Sequence, residues 1–327
     1  RLGKGVGAAE ISGDEHDHLV RRHVGCDQLG KGRLGEGRDD QKDDFGAIQR
    51  CGRVGGCQFE RAKARRQTGG GIGLAFDAAR GAYRLDHLGH GINLKDRPGA
   101  LVTPYVELHD IMARIHSGRH SPFRAFFIGG GAFTLPRAWL AARPDAELVV
   151  SEVDPAVTQV AHRSLWLPRE LRLRIKHQDA RRALAASNAG HFDIVVGDAF
   201  HDITMPQHLA TREFFELVRT RLRDDGIYVM NVVDDRQKPR LAASIHATVA
   251  KVFPVTEVWR SNEEGRRATF VVAGLVKPTP YAVIRSRISA EVVFERVGGK
   301  ELAARTGAAP VILTDDYAPV DRLIGVR

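Results

Sequence analysis

Aromatic side chains make up only 7% of the 327 residues, and the whole chain holds three cysteines. No run of about 18 apolar, uncharged residues occurs, so no segment has the length of a transmembrane helix. No basic stretch leads into an apolar one at the start either, and a cytoplasmic setting is the expectation. All three cysteines (Cys26, Cys51 and Cys57) fall early, which leaves the rest without any disulfide framework. Zinc sites favour tight pairs such as C-x2-C. The C-x5-C of Cys51 and Cys57, with His16, His18 and His23 upstream, supplies no two such pairs, so no metal is expected. The balance of 49 basic against 40 acidic residues gives +9, but the basic residues are scattered. No basic stripe studded with aromatics appears, which argues against a nucleic-acid partner.

The texture is uneven. Residues 1–82 contain 18 of the 34 glycines and only Phe45, Phe59 and Phe76 as aromatics. They sustain neither a 3.6-residue nor a 2-residue apolar period, and such composition does not offset chain entropy. The expectation for 1–82 is a disordered or non-native extension. Residues 83–122 then read as a β-hairpin and a helix, and 123–327 as one nucleoside-binding domain. "AYRLDHLGHGINL" (82–94) gives the two hairpin strands and "PYVELHDIMARI" (104–115) the helix.

From residue 123 strands and helices alternate. "FRAFFIGGG" (123–131), "AELVVSEVD" (146–154), "LRLRIK" (171–176), "HFDIVVGDAF" (191–200) and "IYVMNVV" (227–233) read as strands. The charged face of 171–176 marks an edge strand. Helices are expected at 134–144, 155–165, 211–226 and 240–253, the third ending at Gly226. The final strands, 255–260 and 267–276, are joined by a link too short for a crossover, so they must be antiparallel. The fold class is therefore α/β: a doubly wound, seven-stranded, mostly parallel sheet with a C-terminal antiparallel strand.

Three neighbouring strand ends carry chemistry. Gly129, Gly130 and Gly131 stand where a strand turns into a helix, so backbone can approach a ligand and helix-start amides are available. Glu152 ends the second strand, the position from which a carboxylate accepts hydrogen bonds from ribose. Asp179 follows the third and is placed to hold an adenine amino group. Asp198 ends the fourth, across the switch point, where a carboxylate can take a proton or stabilise cationic charge. The stretch 199–210, with His201, Asp202 and His208, has no strong period and reads as a mobile lid.

Residues 83–327 resemble the spermidine synthase family through "LDHLGHGINLKD", "IGGGAFTLPR", "VVSEVDPAV", "HQDAR", "FDIVVGDAF", "LATREFFELVRTRLRDDGIYVMN" and "ILTDDYAPVDRL". The resemblance implies a methyltransferase-like fold acting as an aminopropyltransferase, with decarboxylated S-adenosylmethionine as co-substrate and a small-molecule amine as acceptor. It further implies Glu152 on ribose, Asp179 and Ala180 on adenine, and Asp198 as catalytic base. Tyr105 and Asp202 would face the substrate, and dimers are common in that family.

The chain departs from the family at Ala132 and Phe133, where an aspartate follows the third glycine. It departs also at His201, where a second aspartate stands, and at Val106, where a glutamine stands. Asp202, Asp315 and Asp316 are candidates to compensate, or face solvent. Two other readings remain open: a small-molecule methyltransferase using intact S-adenosylmethionine, and a non-catalytic adenosyl-binding module with Phe133 intruding on the loop.

Overall fold

A computed structural model describes residues 58–60, 74–77, 82–85, 91–118, 120–169, 172–199 and 205–324. A small antiparallel sheet comes first, formed by β1 (Gln58–Glu60), β2 (Leu74–Asp77), β3 (Ala82–Leu85) and β4 (Ile92–Leu94) in that order. The hairpin expected at 82–94 is β3–β4, but the sheet begins earlier. Two of its strands lie in the segment expected to be an extension, where short runs such as "LAFD" pair through backbone bonds without a long apolar period.

Helix α1 (Pro104–Ser117) follows, with Pro104 at its first position, where its missing N–H costs nothing. Then come β5 (Arg124–Ile128), α2 (Thr134–Ala142), β6 (Glu147–Ser151), α3 (Pro155–Ser164), β7 (Leu173–Lys176), α4 (Ala180–Ala185) and β8 (Phe192–Gly197). They are followed by α5 (Arg212–Arg221), β9 (Leu222–Asp235), α6 (Arg240–Val249), β10 (Val255–Ser261), β11 (Arg267–Leu275), β12 (Val283–Arg285), β13 (Val293–Val297), α7 (Gly299–Thr306) and α8 (Val320–Ile324). None of the helices among the described residues is long and apolar enough to cross a membrane.

The main sheet has nine strands in the order β12-β13-β10-β11-β9-β8-β5-β6-β7. Seven were expected. The two extra ones continue the sheet beyond β10, where "VVFERV" adds antiparallel pairing through Val258–Val297 and Trp259–Arg296. The sheet is therefore mixed rather than mostly parallel: β5 to β9 pair in parallel and β9 to β12 antiparallel. β7, with its charged face, is indeed an edge.

A second difference concerns α5, which stops at Arg221 instead of running to Gly226. Buried Leu222 turns to extended backbone and pairs at once with Phe192; residues 223–226 then bulge out before Ile227 rejoins Ile194.

Two apolar layers cover the sheet because successive strand residues point to opposite faces. Phe127, Val150, Ile194 and Val229 pack under α1, α2 and α3, whereas Phe126, Val149, Val195 and Tyr228 pack under α4, α5 and α6. α1 thus belongs to the main domain's core. Buried carboxylates pin it there: Glu107 accepts from the Ser286 hydroxyl (2.5 Å) and the Arg287 amide (2.7 Å). Asp110 accepts from Trp139 Nε1 (2.8 Å) and Arg287 (2.7 Å).

β5 lies between β6 and β8, so the chain winds away from it in both directions and leaves a crevice at their carboxyl ends. Gly129 there has φ +94°, and a Cβ on it would stand 2.5 Å from the Asp198 carbonyl oxygen. Gly131 also has positive φ (+50°) but open space around it. Gly129→Ala is expected to lower the unfolding free energy by about 2 kcal/mol or more, and Gly131→Ala by only about 1 kcal/mol. Urea midpoints measure the difference; equal losses would contradict the close approach.

Candidate active site

The strand-end residues converge on the crevice. Gly129 donates its N–H to the Ser151 carbonyl, and Asp198 donates its N–H to the Ile128 carbonyl, both at 2.9 Å. Gly130 lies over the ring of Phe133: a Cβ on Gly130 would meet that ring at 2.5 Å. Phe133 is fully buried with φ 54° and belongs to the core beneath the loop. Its ring does not line the cavity, so it does not block the site.

Ala132 is likewise turned inward. It is 3% exposed, and its methyl occupies the space left by Gly91. The Asn93 amide donates to the Ala132 carbonyl (2.8 Å) and the Leu165 carbonyl (3.0 Å), which locks β4 against the loop. A larger side chain at 132 would run into the small sheet, not into the crevice.

Glu152 is buried and engaged by backbone. Its Oε2 accepts from the amides of Gly130 (2.9 Å) and Gly131 (3.4 Å), and its Oε1 from the amide of Asp154 (2.9 Å). It therefore shapes the glycine loop. Asp179 caps α4 through the Arg182 amide (3.0 Å), and its other oxygen meets His208 Nε2 at 2.6 Å. Burial raises the Asp179 carboxyl, but the His208 bond and backbone donors override it and hold the pKa below the usual value. Ala180 is buried at the start of α4.

Asp198 is held from both sides. Tyr105 donates its hydroxyl to Oδ2 (3.3 Å), and Asn231 on β9 donates its amide to Oδ1 (2.9 Å). Burial, followed by the charge of Asp198, pushes the Tyr105 phenol well above its ordinary pKa, so it stays a donor at neutral pH. A cavity of about 30 Å³ opens between α1, the glycine loop and the end of β8. Asp198 and Tyr105 line it together with Phe127, Leu135, His109 and Thr134. Burial pushes the His109 imidazole down to about 3, so it is neutral.

The remaining candidates part ways. Asp202 and His201 lie outside the described residues. Asp315 is taken by Arg181 in a two-pronged pair (2.7 and 2.6 Å) and by the Thr211 hydroxyl (2.7 Å), which ties the C-terminal segment to α4 and α5. Asp316 is exposed. Within the expected lid, Met205, Leu209 and Ala210 are buried in the core under α4 and α5, so that part of 199–210 is packed structure. Sequence reading missed Asn231 and His109 as site neighbours, and had His208 only as part of the lid. The signal for Asn231 was a lone amide inside the apolar run "YVMNVV", and for His109 an imidazole on the apolar face of α1.

A family model for the spermine/spermidine synthase domain matches residues 140–261. A probable polyamine aminopropyl transferase of Bifidobacterium longum is 27% identical over 219 residues, 61% of this chain and 48% of that one. Residues 140–261 are thus similar to a spermine/spermidine synthase domain. The chain spans about half the length of that curated relative. A probable spermidine synthase from Corynebacterium glutamicum shares this fold, with TM-score 0.63, 22% identity, and 73% of this chain and 91% of that one covered. So does a spermidine synthase solved with the transition-state analogue AdoDATO (TM-score 0.50, 18% identity, 64% and 71% covered). The mixed-sheet α/β methyltransferase-like fold is common to them.

Because Glu152 accepts three backbone N–H groups in a buried setting, Glu152→Ala is expected to lower the unfolding free energy by about 2 kcal/mol with no ligand added. An unchanged urea midpoint would mean that the carboxylate serves a ligand alone.

Proposed function

We propose that the chain is an aminopropyltransferase that takes decarboxylated S-adenosylmethionine as donor and a small amine as acceptor. The observation that carries this reading is Asp198, held between Tyr105 and Asn231 at the mouth of a cavity beside the glycine loop. The curated relative's name and the fold shared with spermidine synthases agree with it.

In this reading the adenosine lies across the carboxyl ends of β5, β6 and β7. Glu152 receives the ribose hydroxyls, Asp179 and Ala180 the adenine edge, and Gly129–Gly131 let the sulfonium come close. An alkylamine has a pKa near ~10 and is mostly protonated at neutral pH, so it needs a base to become a nucleophile. Asp198 takes that proton. The freed nitrogen lone pair attacks the methylene carbon beside sulfur. The carbon–sulfur bond breaks with its electron pair going to sulfur, which leaves as the neutral thioether methylthioadenosine. Tyr105 and Asn231 orient the carboxylate; both are donors, so Asp198 turns its remaining lone pairs to the amine.

A methyltransferase is the second reading. Ala132 sets no charge beside the glycine loop that would repel the carboxylate of intact S-adenosylmethionine, and its burial against Gly91 keeps that corner neutral.

Asp198→Asn separates binding from chemistry. It nearly conserves shape and removes the base, so the donor's Kd should stay within about threefold while kcat falls by roughly 10²- to 10⁴-fold. Turnover equal to that of the unaltered chain would remove Asp198 from the role of base.

A further inference from the structure

The lining of the cavity is polar in an unusual way. His109, 1% exposed, lines it from α1, and its Nε2 has no hydrogen-bond partner among the described residues. Thr134, 8% exposed, lines it from the first turn of α2, and its Oγ1 has none either. Buried polar atoms left unpaired cost free energy, so two of them on residues that line one small space mark a place where a ligand completes the bonding. Each belongs to a structural element pinned by other residues: α1 by Glu107 and Asp110, and the start of α2 by the Ala132–Asn93 contact.

The character of the space selects the ligand group. Asp198 is the one charged side chain lining it among the described residues, so the local charge is negative. His109 is neutral and repels no cation. Phe127, Leu135 and Val196 add apolar wall to the same cavity, which suits a short methylene chain.

We propose that His109 and Thr134 accept the terminal primary ammonium of an alkylamine chain whose body runs past Asp198, and so decide which amine-tailed ligand the site holds. The assignment rests on the aminopropyltransferase reading. It gives the cavity a recognition pair made of neutral acceptors, at positions that neither the glycine loop nor the strand-end acids supply. The ammonium can come from the aminopropyl tail of the donor or from a diamine acceptor.

Calorimetric titration of the full chain separates these sources and tests the assignment. The probes are decarboxylated S-adenosylmethionine, methylthioadenosine (which lacks the amine tail) and, with methylthioadenosine bound, 1,4-diaminobutane. Thr134→Val, His109→Leu and His109→Gln are the variants. Gln offers an amide oxygen near the position of Nε2.

Losing a hydrogen bond to a charged group corresponds to roughly 10- to 100-fold weaker binding. Thr134→Val and His109→Leu should lose that much for the tailed donor or for the diamine, whichever brings the ammonium. Methylthioadenosine should stay within about twofold of the unaltered chain, and His109→Gln should recover part of the loss. Thr134→Val is isosteric and carries the test alone should His109→Leu not fold. Unchanged affinity for both amine-bearing probes in Thr134→Val would overturn the assignment and leave the aminopropyltransferase reading standing. Failure of the unaltered chain to bind methylthioadenosine would instead overturn the nucleoside reading, and this assignment with it.

Discussion

The close approach of two strand ends, β5 and β8, is the constraint on which the crevice depends. Asp198 donates its N–H to Ile128, and its own carbonyl fills the space where Gly129 would carry a Cβ. Any side chain at 129 would force the two ends apart. With them would go the alignment of the glycine loop, resting on Glu152, and of the Asp198 carboxylate, resting on Asn231 and Tyr105. A backbone contact between parallel neighbours thus sets the distance between the proposed binding and reacting halves of the site.

Around that contact the molecule uses buried and half-buried carboxylates as fixed points. Glu107 and Asp110 hold α1 to the segment after β12, Glu152 holds the loop, and Asp198 joins α1 to β9. Each accepts at least two donors, which is what makes a buried charge tolerable. Because α1 is clamped at Glu107 and Asp110, its Tyr105 and His109 face the cavity with little freedom. The small sheet completes the enclosure through Asn93, whose amide reaches the loop carbonyl at Ala132.

Much of this was legible in the chain. The apolar runs ending in glycine or an acid fixed the order of β5 to β9 and put Gly129, Glu152, Asp179 and Asp198 at one sheet edge, because residues that end parallel strands necessarily share that edge. What surrounds each acid was not legible. Tyr105 and Asn231 lie 93 and 33 residues from Asp198, and no local pattern encodes such pairings. Ala132 read as a missing charge in the site, whereas packing against Gly91 turns it away; only the placement of β4 reveals that. Gly226 imitated a helix stop, but α5 ends five residues sooner, at Arg221, where buried Leu222 turns to extended backbone. β12 and β13 escaped because short strands with charged residues have a weak period and gain their order by joining an existing edge.

The central claim is that this crevice moves an aminopropyl group from sulfur to nitrogen. The most direct measurement incubates the full chain with decarboxylated S-adenosylmethionine and a diamine and follows both products by mass spectrometry. The account predicts methylthioadenosine and the singly aminopropylated diamine in equal amounts. Release of S-adenosylhomocysteine from intact S-adenosylmethionine, with no methylthioadenosine from the decarboxylated form, would contradict it.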